Sequence, residues 1–141
     1  MPTRLAEAQW NGDLLRGQGT VKFGNGAFEG AYSFASRFES ETGTNPEELI
    51  GAAHAGCFSM ALSGDLNQAG YKPESIHTTA RVHIDKDGEG FSIWEIELDT
   101  QVKIKGIEEA RFQEIAEGAK KGCPVSKALT GTTIILTAKM I

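Results

Sequence analysis

Cys57 and Cys123 are the only thiols in a chain of 141 residues, and they stand 66 positions apart. A structural zinc site would want paired Cys-x-x-Cys or mixed Cys/His clusters at short spacing, so no metal is expected. That leaves thiol chemistry, or no chemistry. Cys57 sits in "GAAHAGCFSMAL" among apolar neighbours, where a free cysteine can be a small hydrophobe filling a core. Cys123 stands directly before Pro124 at a helix N-cap, where free backbone N–H groups lower a thiol pKa. On residues alone, Cys123 is therefore the better nucleophile. His54, three positions before Cys57, lies on the same helix face and raises a Cys-His hydrolase as an alternative. No Asn or Asp is evidently placed to orient that histidine. Arg37, in "SRFES", and the pair Glu47 and Glu48 complete the candidates. By default they are a solvated charge and two helix-dipole partners; functionally they could be an ion pair poised over a thiolate. Spacing does not decide, nor does it say which glutamate would pair with Arg37.

These residues need elements to position them. Asn45 and Pro46 form a helix start, with Asn as N-cap, Pro in the first helical position, and Glu47 and Glu48 in the first turn. From Leu49 to Leu66 the helix is apolar or small on almost every side, which predicts burial all round, and it ends at Gly70. Upstream, "EAQWNGDLLRGQGTVKFGNGAF" carries hairpin signals, and "AYSFASRFES" alternates as a further strand. Downstream, "SIHTTARVHID" and "WEIELDTQVKI" alternate with period two, joined by a turn at "KDGEG". Ile76, Val82, Ile84, Trp94, Ile96, Leu98 and Val102 are expected to face inward. His77 and His83 fall on the wet face. "GIEEARFQEIAEGAKKG" is an amphipathic helix with Ile107, Ala110, Phe112, Ile115, Ala116 and Ala119 as its stripe. A short helix, "CPVSKALTG", and a closing strand, "TTIILTAKM", follow. Strands, a long helix, strands, helices and a last strand make a single α+β domain over residues 1–141. So few elements cannot cover every side of the long helix, so a homodimer is expected, the partner supplying the missing wall.

Composition narrows the function. Charged residues are 23% and hydrophobic residues 40% of the chain, ordinary for a soluble globular protein. A net charge of -5 argues against general affinity for nucleic acid or an anionic membrane. The N-terminal "MPTRLAEAQWNG" lacks the apolar stretch of a signal peptide, and no segment is apolar enough to span a bilayer. A cytoplasmic location is the expectation, and there two cysteines are thiols or a cycling pair, not a permanent staple.

Three stretches in order, "RFE", "GTNPEELIGAAHAGCFSMAL" and "GCPVSKAL", resemble the OsmC/Ohr family of thiol peroxidases, and within it the osmotically inducible protein C branch. The resemblance covers essentially the whole chain, with Gly56 standing where alanine is common. It implies an OsmC-like fold: antiparallel sheets around a long buried central helix, in an intertwined homodimer. It implies that Cys57 is the peroxidatic cysteine and Cys123 the resolving one, which reverses the assignment from the helix dipole. It gives Arg37 to thiolate stabilisation and Glu47, in preference to Glu48, to orienting that arginine. The implied activity is reduction of organic hydroperoxides through a sulfenic acid and a disulfide, in oxidative and osmotic stress defence. An external dithiol, lipoyl-type by resemblance, closes the cycle without a cofactor. Outside the family, the residues also admit a non-catalytic ligand-binding or structural dimer with inert core cysteines.

Overall fold

The computed structural model describes all 141 residues, which divide into two compact units, Met1–Leu49 and Ile50–Ile141. The first unit holds strands β1 (Ala6–Asn11), β2 (Gln18–Phe23) and β3 (Glu29–Tyr32) in one antiparallel sheet of order β1-β2-β3. Gly19 sits where the rings of Trp10 and Tyr32 meet, with centroids 5.3 Å apart. A Cβ there would lie 2.4 Å from the Tyr32 ring, so only glycine fits.

The expected strand "AYSFASRFES" stops at Tyr32. Phe34–Phe38 is instead a short helix, α1, because Ser33 caps it reciprocally with Ser36. The Ser33 Oγ accepts from the Ser36 N–H at 3.1 Å, and the Ser33 N–H donates to Ser36 Oγ at 2.8 Å. The alternation of Tyr32, Phe34 and Phe38 was a weaker signal than this local cap.

Helix α2 (Pro46–Gln68) begins where Asn45 and Pro46 predict. The Asn45 Oδ1 accepts from the Glu48 N–H at 2.7 Å, a cap of ordinary geometry. At its far end Gly70 takes a φ of 94°, and the Tyr71 N–H reaches back to the Leu66 carbonyl at 2.9 Å. That six-to-one bond with a left-handed glycine is the Schellman stop.

In the second unit, β4 (Ser75–Asp87) and β5 (Gly90–Lys103) form the antiparallel hairpin that the period-two pattern predicts. Two details differ. His83 pairs with Glu95 while Ile84 pairs with Ile93, so Trp94 is an extra, unpaired residue in β5. This β-bulge shifts the alternation, and Trp94, expected inside, is 48% exposed while Ile93 packs against the core. Strand β6 (Thr133–Met140) joins β5 in parallel, so this sheet is mixed, not wholly antiparallel. The parallel return is made by helices α3 (Glu109–Gly122) and α4 (Pro124–Ala128), the long crossover that such pairing requires.

The core of this unit joins Phe58, Leu62 and Leu66 of α2 to Ile96, Leu98 and Val102 of β5 and to Phe112, Ala116 and Ala119 of α3. Gly51 lets α2 approach the sheet, where a Cβ would come within 3.2 Å of Val82. Ser59 hydrogen-bonds Thr78 at 2.7 Å beside it. The helix is not buried all round in the single chain. His54, Phe58, Leu62 and Leu66, spaced by four, are buried, whereas Ala52, Ala53, Gly56 and Met60 are exposed, Met60 by 81%. No helix of the chain is long and apolar enough to cross a membrane.

Candidate active site

In the first unit, α1 and the first turn of α2 bring one ion pair together. The Nε and Nη2 of Arg37 donate to the same oxygen of Glu47, Oε1, at 2.9 and 2.8 Å. Glu47 is the buried member, its side chain 9% exposed against 37% for Arg37. Its second oxygen, Oε2, is buried without a partner. Of the two glutamates left open by the sequence, Glu47 is the one that holds the arginine. The Glu48 N–H is engaged by the N-cap, and Glu48 is exposed.

In the second unit, the sulfurs of Cys57 and Cys123 approach to 2.9 Å and share a hydrogen bond, both cysteines being free thiols. Two positions 66 apart in sequence therefore become neighbours. Closing that gap to the ~2.05 Å of a disulfide needs less than 1 Å of movement. Cys57 comes from the middle of α2 and packs partly exposed against the core. Cys123 ends α3 and caps α4, and it is fully buried. Its Sγ accepts the Ser126 N–H at 3.5 Å, as its place before Pro124 predicts.

The two thiols have opposite tendencies. Burial pushes the Cys57 thiol up, its hydrogen bond with Cys123 adds to that, and the Val125 backbone only partly opposes them. Burial also pushes Cys123 up, but hydrogen bonds from Cys57, from the backbone and side chain of Ser126 and from the Val125 backbone outweigh it. The net direction for Cys123 is down. Burial thus opposes thiolate at Cys57, and the helix terminus favours it at Cys123.

His54 is wholly buried, and its Nε2 hydrogen-bonds the Ser126 Oγ at 2.7 Å. Its Nδ1 has no partner, and burial lowers its pKa below 6.5. One imidazole nitrogen is thus committed to Ser126, and no hydrogen bond joins His54 to Cys57. Ser126 itself was not singled out from sequence, although it is the last residue of the "CPVS" motif. Of the remaining histidines, His77 is exposed as expected. His83 is half-exposed and hydrogen-bonds Glu97 at 2.5 Å, with Glu95 3.8 Å away, a cross-strand cluster on the outer face of β4 and β5.

Residues 39–137 match the family described as OsmC-like protein. The chain belongs to the OsmC family. The match includes Glu47, Cys57 and Cys123 and begins two residues after Arg37. Among OsmC relatives, the Peroxiredoxin OsmC of Escherichia coli (strain K12) is 53% identical over 127 residues, 89% of this chain and 89% of that one. The organic hydroperoxide resistance protein OhrB of Bacillus subtilis (strain 168) is 33% identical over 94 residues, 66% of this chain and 67% of its own. The crystal structure of OhrB of Bacillus subtilis superposes with a TM-score of 0.71 at 26% identity, covering 95% of this chain and 97% of the other. The OsmC fold expected from the sequence is therefore the fold observed, with the mixed second sheet as its refinement.

Proposed function

We propose that this OsmC protein is a thiol-dependent peroxidase that reduces organic hydroperoxides to alcohols; relatives named a peroxiredoxin and an organic hydroperoxide resistance protein support the reading. The observation that carries the reading is the pair of free thiols with sulfurs 2.9 Å apart. Two inert core cysteines have no reason to meet in that way, whereas a sulfenic acid and its resolving thiol must.

Cys57 is the attacking residue, and exposure supports the choice. A peroxide must reach the sulfur, and Cys57 is partly exposed while Cys123 is completely buried. The Cys57 thiolate takes the terminal peroxide oxygen, the O–O bond breaks, and the alkoxide leaves as alcohol after gaining a proton. The apolar surroundings of Cys57 favour an alkyl hydroperoxide, whose tail gains burial energy, over hydrogen peroxide, which gains none. Cys123 then condenses with the Cys57 sulfenic acid to a disulfide, and an external dithiol of lipoyl type exchanges with it to restore both thiols. A thiol whose pKa is raised by burial needs a cation to ionise. Arg37, already fixed by Glu47, is the residue the family resemblance assigns to that task. The cycle uses no cofactor and fits the reducing cytoplasm, in defence against oxidative and osmotic stress. The exposed apolar stripe of Ala52, Ala53, Gly56 and Met60 supports a homodimer that covers it.

Peroxide consumption with dihydrolipoamide as reductant tests the function. The expected result is turnover of an alkyl hydroperoxide at a kcat/KM well above that for hydrogen peroxide, and none with Cys57→Ser. Activity retained by Cys57→Ser would refute the assignment of the attacking thiol.

A further inference from the structure

Two links join α2 to the segment that carries Cys123. The first is the thiol pair itself, with sulfurs 2.9 Å apart. The second is the hydrogen bond between His54 Nε2 and Ser126 Oγ, 2.7 Å long. No other side-chain hydrogen bond ties α2 to α4. Each end of the second link lies about one helical turn from a cysteine: His54 is three residues before Cys57, and Ser126 is three residues after Cys123.

We infer that His54 and Ser126 are positioning residues that hold the Cys123 sulfur against Cys57 for disulfide formation. The inference rests on the peroxidase reading above and deepens it, by naming what keeps the resolving thiol in place.

Geometry explains why a second link matters. A single contact between two helices leaves them free to pivot about it, whereas two contacts a turn apart fix their relative direction. Helix α4 spans only five residues, Pro124–Ala128, too few to hold a helical conformation without tertiary support. Its first turn also contains the Cys123 cap, in which the Ser126 N–H donates to Cys123 Sγ at 3.5 Å. Anchoring Ser126 by its hydroxyl therefore anchors the backbone donor on the sulfur, and with it the place of the sulfur beside Cys57.

The cost of His54 supports the same conclusion. Phe58, Leu62 and Leu66 continue its face of α2 at four-residue intervals, and all three are fully buried. His54 is equally buried, and its Nδ1 has no partner. A leucine would fill that place without stranding a ring nitrogen. What leucine lacks is a directed bond to the Ser126 hydroxyl, which belongs to a residue only 4% exposed.

The thiol pair can be measured without peroxide. Glutathione disulfide oxidises it: the two protein sulfurs join, and their two protons and two electrons pass to glutathione disulfide, which leaves as two glutathione thiols. The equilibrium constant is the effective concentration of one cysteine thiol at the other.

Parent and variants are equilibrated in glutathione buffers, quenched in acid, alkylated and counted as dithiol or disulfide by mass spectrometry. The double variant His54→Leu/Ser126→Ala replaces both partners of the buried bond with apolar groups, so its fold stability should stay near the parent's. Its equilibrium constant should fall about tenfold, the upper range for one hydrogen bond, which makes the disulfide potential about 30 mV less negative. A merely structural bond does not predict that shift in a stable protein. Ser126→Ala alone should show the same fall, because the two residues act through one bond. Ser59→Ala is the control: it removes another hydroxyl bond of α2, to Thr78 at 2.7 Å, and should leave the constant within about twofold. A parental constant in the double variant overturns the positioning role. So does an equal fall in Ser59→Ala, which marks general loosening of α2. Should the double variant fail to fold, Ser126→Ala decides alone. A parent protein that forms no Cys57–Cys123 disulfide, with glutathione disulfide or with an alkyl hydroperoxide, instead overturns the peroxidase reading, and the positioning role with it.

Discussion

The Arg37–Glu47 pair yields a prediction with a sign, a size and a coupling. Both donors of Arg37 converge on Oε1 of Glu47, at 2.9 and 2.8 Å, so the carboxylate fixes the plane of the guanidinium. If Arg37 stabilises the Cys57 thiolate and polarises the peroxide, Arg37→Ala should cost about 2–4 kcal/mol of transition-state stabilisation, as for one preorganised electrostatic donor. In rate that is roughly 30- to 1000-fold on Cys57 oxidation. Glu47→Ala removes two charge-assisted bonds but leaves the cation in place. With Arg37 37% exposed, water replaces part of what is lost, and about 1–2 kcal/mol, roughly 5- to 30-fold, is the expected penalty. Arg37→Lys should recover only part of the loss, because an ammonium cannot offer two parallel donors. The decisive measurement is the double-mutant cycle. Glu47 acts through Arg37, so in the Arg37→Ala background Glu47→Ala should add nothing, and the coupling energy should equal the whole effect of the single Glu47 change. Stopped-flow oxidation by an alkyl hydroperoxide under pseudo-first-order conditions supplies the four rates. Stability gives an independent reading with a different order. Arg37→Ala strands a carboxylate whose side chain is 9% exposed, whereas Glu47→Ala strands a cation that water can reach. After allowance for that exposure, the first should cost about 1–2 kcal/mol of unfolding free energy and the second less. Additive kinetic losses from the two single changes would refute the idea that Glu47 works by holding Arg37.

Two further outcomes follow from other parts of the chain. Met60→Glu places a charge in the exposed apolar stripe of α2, and sedimentation should show the dimer dissociating toward monomer while an exposed polar change such as Gln113→Glu leaves it intact. A folded parent protein that is monomeric at micromolar concentration removes the dimer. His54 gives a pH dependence whose sign is fixed by burial, which lowers its folded pKa below the ordinary 6.5. The unfolded chain therefore binds the proton first. The contribution of His54 to stability is complete above about pH 6.5 and is lost as pH falls below that toward its folded value. Urea titrations between about pH 7.5 and 5 should show this fall in the parent and a flatter profile in His54→Asn.

What the sequence disclosed, it disclosed locally. Asn45, Pro46 and Gly70 mark the ends of α2 because caps act within one turn, and the stripe of Phe112, Ile115, Ala116 and Ala119 marks α3 because its period is set by helix geometry. Ala110, placed in the same stripe from sequence, is exposed, as first-turn residues often are. The misses all depend on something further away or on a competing local bond. The Ser33–Ser36 cap displaced an alternating aromatic pattern. The bulge at Trp94 is a property of two strands in register, invisible in either alone. The parallel seat of β6 is decided by which edge of the hairpin the crossover helices reach. The choice of Glu47 over Glu48 needed the direction of two side chains one residue apart, about 100° around a helix. The approach of the sulfurs and the bond between His54 and Ser126, 72 residues apart, are long-range facts that no spacing encodes.

The two thiols explain why residue-level reasoning and family resemblance pointed to different nucleophiles. Acidity favours Cys123, because it sits at a helix N-cap with two donors from Ser126. Access favours Cys57, because Cys123 is wholly buried. For the first step access decides, since a sulfur that peroxide cannot reach does not react however acidic it is. For the second step the partner sulfur is already 2.9 Å away, access is irrelevant, and acidity decides. On the proposed assignment, the helix cap that suits a peroxidatic cysteine serves the resolving one. In that cycle Cys123 is a ready nucleophile, buried and 2.9 Å from the Cys57 sulfur. The cost falls on Cys57, whose proton is held by burial and by its neighbour. An attacking thiol in that position depends on an outside cation, and that dependence is what the Arg37 and Glu47 variants measure.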